Sequence, residues 1–133
     1  MDAERLARIP LFRGLSKHER EQVARWADEV DVPAGKHLLD EGRLPHEFFV
    51  IEEGTATVTK DGRRLAELGP GDFFGEIAIL AEERRTASVV AATAMRLIVM
   101  TDRDFLEMAR EMPEVAERVR AAVRDRLGRT AQG

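Results

Sequence analysis

The sequence has no cysteine, which excludes a disulfide framework, thiolate zinc sites and a cysteine nucleophile together. The absence is compatible with a reducing cytoplasm, the compartment expected here. Long apolar runs are also missing. None approaches the roughly 18 residues that would cross a bilayer. The opening Met1-Asp2-Ala3-Glu4-Arg5 carries charge where a secretory leader would be apolar, so neither a signal peptide nor a membrane partner is expected. Histidine is scarce: His18, His37 and His46 show no His-x-His pair. Surface or edge positions are expected for them, and no metal site. A metal-dependent enzyme on a β scaffold would lack its ligands, so no catalytic residue is assigned. Excess positive charge is absent as well. With 21 basic and 25 acidic side chains the net charge is -4, a poor basis for general nucleic-acid binding. What is present fits one soluble domain: 133 residues, of which 44% are hydrophobic, enough for a core without staples.

The chain divides into three parts, read together as one domain over residues 1–133. Residues 9–29 form a helical entry. Ile9, Leu11, Phe12 and Leu15 belong to a turn punctuated by Pro10 and Gly14, and Ser16-x-x-Glu19 is a capping box. Val23, Trp26, Ala27 and Val30 follow at helical spacing. Residues 30–101 form a β body in which the period falls to two and glycine-rich turns crowd together. Strands are predicted over 46–51, 55–60, 63–68, 86–92 and 95–101, with Asp61-Gly62 as a tight hairpin corner. Val50, Val58, Leu65, Leu68, Phe73, Phe74 and Val89 are assigned to core or pocket wall. Residues 102–128 return to helix. Thr101-x-x-Asp104 resembles a capping box, Pro113 opens the last helix, and Gly128 stops it before a frayed tail. Glu114 and Arg118 are expected to pair on its wetter face. The fold class expected is α+β: an antiparallel jelly roll or barrel with a short internal helix, an N-terminal helix and two C-terminal helices.

One stretch departs from the β pattern. Residues 76–83 favour helix, are opened by Gly75, and lie between two strands. N–H groups exposed at such a start attract an anion, and glycine lets the backbone approach it closely. Arg85, where the chain re-enters a strand, can place a forked guanidinium on the same anion. One arginine and a few amides suit a singly charged phosphate such as that of a cyclic nucleotide. ATP would want Gly-x-x-x-x-Gly-Lys-Ser/Thr, which does not occur. Glu76 can accept from ribose hydroxyls while Arg85 balances its charge.

Phe74-Gly75-Glu76-Ile77-Ala78-x-Leu80, followed by Arg85-Thr86-Ala87, closely resembles the phosphate-binding cassette of cyclic-nucleotide-binding domains. Both halves are present at suitable separation within residues 73–87. Gly71-Asp72 before them and Ile9-Pro10-Leu11-Phe12-x-x-Leu15-Ser16 at the entry also look like that family. The resemblance in element order runs from Leu11 to Leu127, with Ile79 standing where many members carry leucine. It implies a regulatory sensor of cAMP or cGMP, without further cofactor. Glu76 would bind the ribose 2′-hydroxyl and Arg85 the cyclic phosphate. Backbone around Gly75, Ile77, Ala78, Thr86 and Ala87 would complete the cradle, and the last helix would close over the base. In parts of the family a threonine at the position of Thr86 contacts guanine. Arg84 is expected to be solvated or paired with an acid.

The resemblance implies an effector protein or domain elsewhere. Direct DNA binding is not expected, because no helix-turn-helix follows the last helix. A haem sensor is disfavoured by the lack of histidine and cysteine in the C-terminal helices. The stripe Val115, Val119, Ala122, Val123 and Leu127 is open to three readings: a packed face, a base lid or a homodimer seam. The alternative function is a degenerate interaction module that keeps this fold without a ligand.

Overall fold

A computed structural model describes the backbone of residues 1–132 and the side chains of residues 1–125. Two short 3-10 turns, Ala3–Arg8 and Pro10–Phe12, lead into helix α1, Lys17–Trp26. The Ser16 capping box is complete: Glu19 N–H donates to Ser16 Oγ at 3.1 Å, and Ser16 N–H donates to Glu19 Oε1 at 2.9 Å. The helix ends at Trp26, three residues before the expected limit of the helical entry at residue 29. Val30 lies in strand β1, Asp28–Val32, because that segment pairs antiparallel with residues 95–99. Ladder hydrogen bonds to a buried strand outweigh a stripe that loses its packing surface after Ala27.

The body contains β2 (His37–Leu39), β3 (Glu47–Glu53), β4 (Ala56–Lys60), β5 (Arg63–Leu68), β6 (Phe73–Phe74), β7 (Ser88–Ala91) and β8 (Met95–Thr101). They form two antiparallel sheets, ordered β1-β8-β3-β6 and β2-β7-β4-β5. The five predicted strands are present within a residue or two of their expected limits; β1, β2 and β6 are additions. Asp61 and Gly62, with φ of 52° and 77°, turn β4 back on β5. Such angles match the twist of a two-residue hairpin.

Strand β3 of the first sheet is covered on both faces, which explains the uninterrupted apolar run Phe48-Phe49-Val50-Ile51. Phe48 and Val50, with Ile98 and Met100, join a cluster with Leu6, Phe12, Val23, Phe105 and Met108 under the helices. Phe49 and Ile51, with Leu97 and Met95, face the interior of the roll. The Phe48 and Phe105 rings lie 4.4 Å apart, and Phe49 stacks on Phe74 at 4.8 Å. These aromatic pairs pin the register of the sheet from both sides.

Helix α2 (Glu76–Ala81) interrupts the strands; α3 (Asp102–Glu111) and α4 (Pro113–Gln132) end the described chain. Ahead of α3, Thr101 Oγ1 accepts from Asp104 N–H at 3.1 Å. Glu114 and Arg118 do not pair as expected: Arg118 Nη1 donates to the Leu11 carbonyl at 2.8 Å and ties α4 to the second 3-10 turn. Helix α4 also passes through Gly128 to Gln132. A glycine weakens a helix interior by about 1 kcal/mol relative to alanine but does not end it. The Leu127 side chain, assigned to the apolar stripe, lies outside the described residues. The architecture is α+β, a jelly roll with one sheet face roofed by helices. Among the described residues no helix is long and apolar enough to cross a membrane.

Candidate functional site

The site begins where β6 ends. Gly75 has φ of 97°, a left-handed conformation, and caps α2 with no side-chain hydrogen bond. A Cβ there would lie 2.9 Å from the Glu47 carbonyl oxygen and 3.3 Å from Arg85 Nη1. Only glycine fits both the angle and the space. The residue that follows the turn is buried. Glu76 is 1% exposed.

Arg85 approaches from the other side of the insertion and is 6% exposed. Its Nη1 donates to the Gly75 carbonyl and its Nη2 to the Glu47 carbonyl, both at 2.5 Å. Burial pulls the guanidinium pKa below its ordinary value, opposed by the carboxylates of Glu76, Glu47 and Asp102. Arginine starts so high that it keeps its charge throughout the physiological range. Among the described residues, Glu76 and Arg85 are the buried polar or charged side chains. Burying charge is costly unless it is compensated.

All seven residues singled out in the sequence (Gly75, Glu76, Ile77, Ala78, Arg85, Thr86 and Ala87) line one cavity of about 860 Å³. That lies within the roughly 300–1,000 Å³ usual for small-molecule sites. Val58, Leu65, Leu68, Phe74 and Val89 line it as well, as the sequence suggested. Val50 and Phe73 do not; they belong to the helix-side cluster. Leu39, Arg64, Ala66, Glu67 and Asp72 line the cavity without having been anticipated. Residues 64 to 68 all line it, so the period-two pattern of β5 could not have singled out Arg64, Ala66 and Glu67; Leu39 sits in a strand too short to read. Arg64 and Glu67 pair with each other at 2.8 Å. The arrangement has an apolar wall, one buried cation and one buried carboxylate. It suits a small anion attached to a hydroxyl-bearing, largely flat group.

Arg84, expected to be solvated or paired with an acid, donates Nη1 to the Gly42 carbonyl at 2.9 Å. Its neighbour Arg85 alone of the two turns into the cavity. The three histidines are exposed, and His37 Nδ1 lies 2.9 Å from Asp40 Oδ1.

Comparison with known proteins gives a consistent result. Residues 29–112 match the family model described as a cyclic nucleotide-binding domain. A cyclic nucleotide-gated potassium channel of Rhizobium etli is 34% identical over 92% of this chain and 34% of its own length. The cyclic AMP receptor protein of Thermus thermophilus is 32% identical over 89% of this chain and 57% of its own. The crystal structure of Thermus thermophilus catabolite activator protein superposes with a TM-score of 0.81 at 31% identity, covering 92% of this chain and 60% of that one. The chain therefore spans between about a third and somewhat more than half of these relatives.

Proposed function

We propose, for a chain that belongs to the cyclic nucleotide-binding domain family, that its cavity takes cAMP or cGMP and that occupancy is read out through the C-terminal helices. The observation that carries the reading is that the buried charged side chains, Glu76 and Arg85, face one cavity together. A fold gains little from such a pair; a ligand with one negative charge and adjacent hydroxyls gains both charge compensation and direction. In this reading the donors of Arg85 not engaged with Gly75 and Glu47 grip two phosphate oxygens. Amides around Ile77, Ala78, Thr86 and Ala87 complete the cradle. Glu76 accepts from the ribose 2′-hydroxyl, and the apolar wall of Val58, Leu68 and Val89 takes the base. The role is binding, not catalysis.

Helix α2 connects pocket and roof. Its Glu76 and Ala78 line the cavity, while Ile79 packs in the helix-side cluster with Phe105 and Met108. A ligand drawing in the α2 amides therefore shifts the surface on which α3 and α4 rest, selecting one of two packings. Helix α4 then covers the base or meets a second copy, and an effector carried elsewhere gives the output. The proposed compartment is the cytoplasm. An open cavity lined by both halves of the cassette speaks against the ligand-free interaction module.

The test is calorimetric titration of protein refolded to remove copurified nucleotide, with cAMP, cGMP and 5′-AMP. The cyclic monoanions are expected to bind in the micromolar range or tighter. The open dianion should bind at least about tenfold more weakly, because its second charge meets no second buried cation. Silence with both cyclic nucleotides, or equal binding of 5′-AMP, would overturn the proposal.

A further inference from the structure

The backbone of Arg85 is held from both sides by one loop. Arg85 N–H donates to the Arg43 carbonyl at 2.8 Å, and the Arg85 carbonyl accepts from Gly42 N–H at 2.9 Å. With Arg84 on the Gly42 carbonyl, the loop between β2 and β3 is bridged, strand-fashion, to the segment that carries the pocket arginine. Gly42 and Arg43 are exposed and belong to neither hydrophobic cluster. Apolar packing does not hold this loop in place.

Glu41 does. Its N–H donates to Ser88 Oγ at 3.0 Å, and the Ser88 hydroxyl donates back to its carboxylate at 3.5 Å. The two oxygens of the same carboxylate accept from Asp61 N–H at 3.1 and 3.3 Å. Asp61 is the left-handed corner of the β4–β5 hairpin. Through its N–H and its half-buried carboxylate, Glu41 therefore joins three segments far apart in sequence: the β2–β3 loop, the β4–β5 hairpin tip and the start of β7. Each bond is worth little against water, but a small connected set orders a loop that packing leaves alone.

We propose that Glu41 is a positioning residue for the ligand site. By anchoring its loop to Ser88 and Asp61, it holds the Gly42–Arg43 backbone against Arg85. That fixes the backbone from which the guanidinium, itself held by the Gly75 and Glu47 carbonyls, and the neighbouring Thr86 and Ala87 amides project. A phosphate cradle needs its donors placed within about half an ångström, and nothing in the apolar wall supplies that for residues 84–87. The role is that of an acceptor. Glutamine, which keeps one amide oxygen, should support it; alanine should not. The inference rests on the proposed nucleotide site, which it deepens.

The experiment compares the full chain with Glu41→Ala and Glu41→Gln by cAMP calorimetry and by amide hydrogen exchange without ligand. Glu41→Ala should bind cAMP about tenfold more weakly, through loss of the carboxylate's bonds to the Asp61 N–H and the Ser88 hydroxyl. The Arg85 and Asp61 amides should exchange faster, with protection of Phe105 and Met108 unchanged. Glu41→Gln should stay within about threefold of the parent protein and keep Arg85 protected. A merely structural role would lower protection across the domain and would not confine it to the bridge. Parental affinity in Glu41→Ala, unchanged exchange at Arg85, or failure of glutamine to rescue would each overturn the assignment. If the parent protein itself binds neither cAMP nor cGMP, the nucleotide reading fails, and the exchange data alone then decide whether Glu41 holds Arg85.

Discussion

On one face of the β1-β8-β3-β6 sheet, Phe48, Val50, Ile98 and Met100 lie beneath α1, α3 and the N-terminal turns; on the other, Phe49, Ile51 and Leu97 look into the roll. The helical face closes completely on apolar side chains, with Phe105 at 1% and Met108 at 0% exposure. The roll face ends at Glu76, Arg85 and an open cavity. Packing of the first kind stabilises a fold. Buried charge lining a cavity adds little to stability by itself and suits the binding of a charged ligand. The same sheet thus separates the helix-packed part of the molecule from the part that holds the proposed ligand cavity, and α2 touches both.

The largest way to test that separation is Phe105→Ala. It opens the helix-side cluster and should cost about 3–5 kcal/mol of unfolding free energy, measured by urea denaturation. Nucleotide affinity of the fraction that stays folded should change little. A large affinity loss in well-folded protein would show that the two faces are not separate.

Gly75→Ala attacks the boundary. With φ of 97° and a new Cβ 2.9 Å from the Glu47 carbonyl oxygen, it should cost about 1–3 kcal/mol in backbone strain. Because the same Cβ crowds Arg85 Nη1, calorimetry should show weaker cAMP binding as well. Stability lost without affinity lost would mean that the glycine serves the fold alone.

Ser16→Ala, far from the cavity, should cost about 1 kcal/mol through the lost cap and leave binding untouched. The smallest effect concerns its partner. The Ser16 N–H, and then the Ser16 hydroxyl, hold the Glu19 carboxyl below its ordinary value of 4.5. A depressed carboxyl stabilises the folded state above its unfolded pKa and loses that contribution as pH falls through the folded value. Stability of the parent protein should therefore decline in acid more than that of Glu19→Gln, which keeps the cap without titrating. Identical acid profiles in thermal melts would remove Glu19 from the account.

The cassette was legible in the sequence because its parts are local. A glycine, a short helix and an arginine sit within a dozen residues, and both the anion chemistry and the family resemblance follow from that order. The strands of the two-sided roll were legible where turns bound them, as at Asp61-Gly62. Strand β1 was not, since Val30 continues a helical spacing and only the distant ladder with Val99 to Met95 makes the segment extended. Strands β2 and β6 are three and two residues long, too short for any period. The hold on Arg85 was equally hidden: its acceptor, the Glu47 carbonyl, is 38 residues away. Backbone carbonyls carry no sequence signature. The Glu41 tie was hidden for a related reason: its carboxylate meets the Asp61 amide 20 residues away and its amide meets the Ser88 hydroxyl 47 away, pairings with no local pattern.

The central claim is that Arg85 is buried to hold a cyclic phosphate. The most direct measurement is a paired calorimetric titration of nucleotide-free parent protein and Arg85→Ala with cAMP, both first shown folded by circular dichroism. Loss of a charge-assisted, two-pronged contact should weaken binding by about a hundredfold or more, roughly 3 kcal/mol. Affinity in Arg85→Ala within about threefold of the parent would contradict the account and leave the buried arginine a structural feature of the roll.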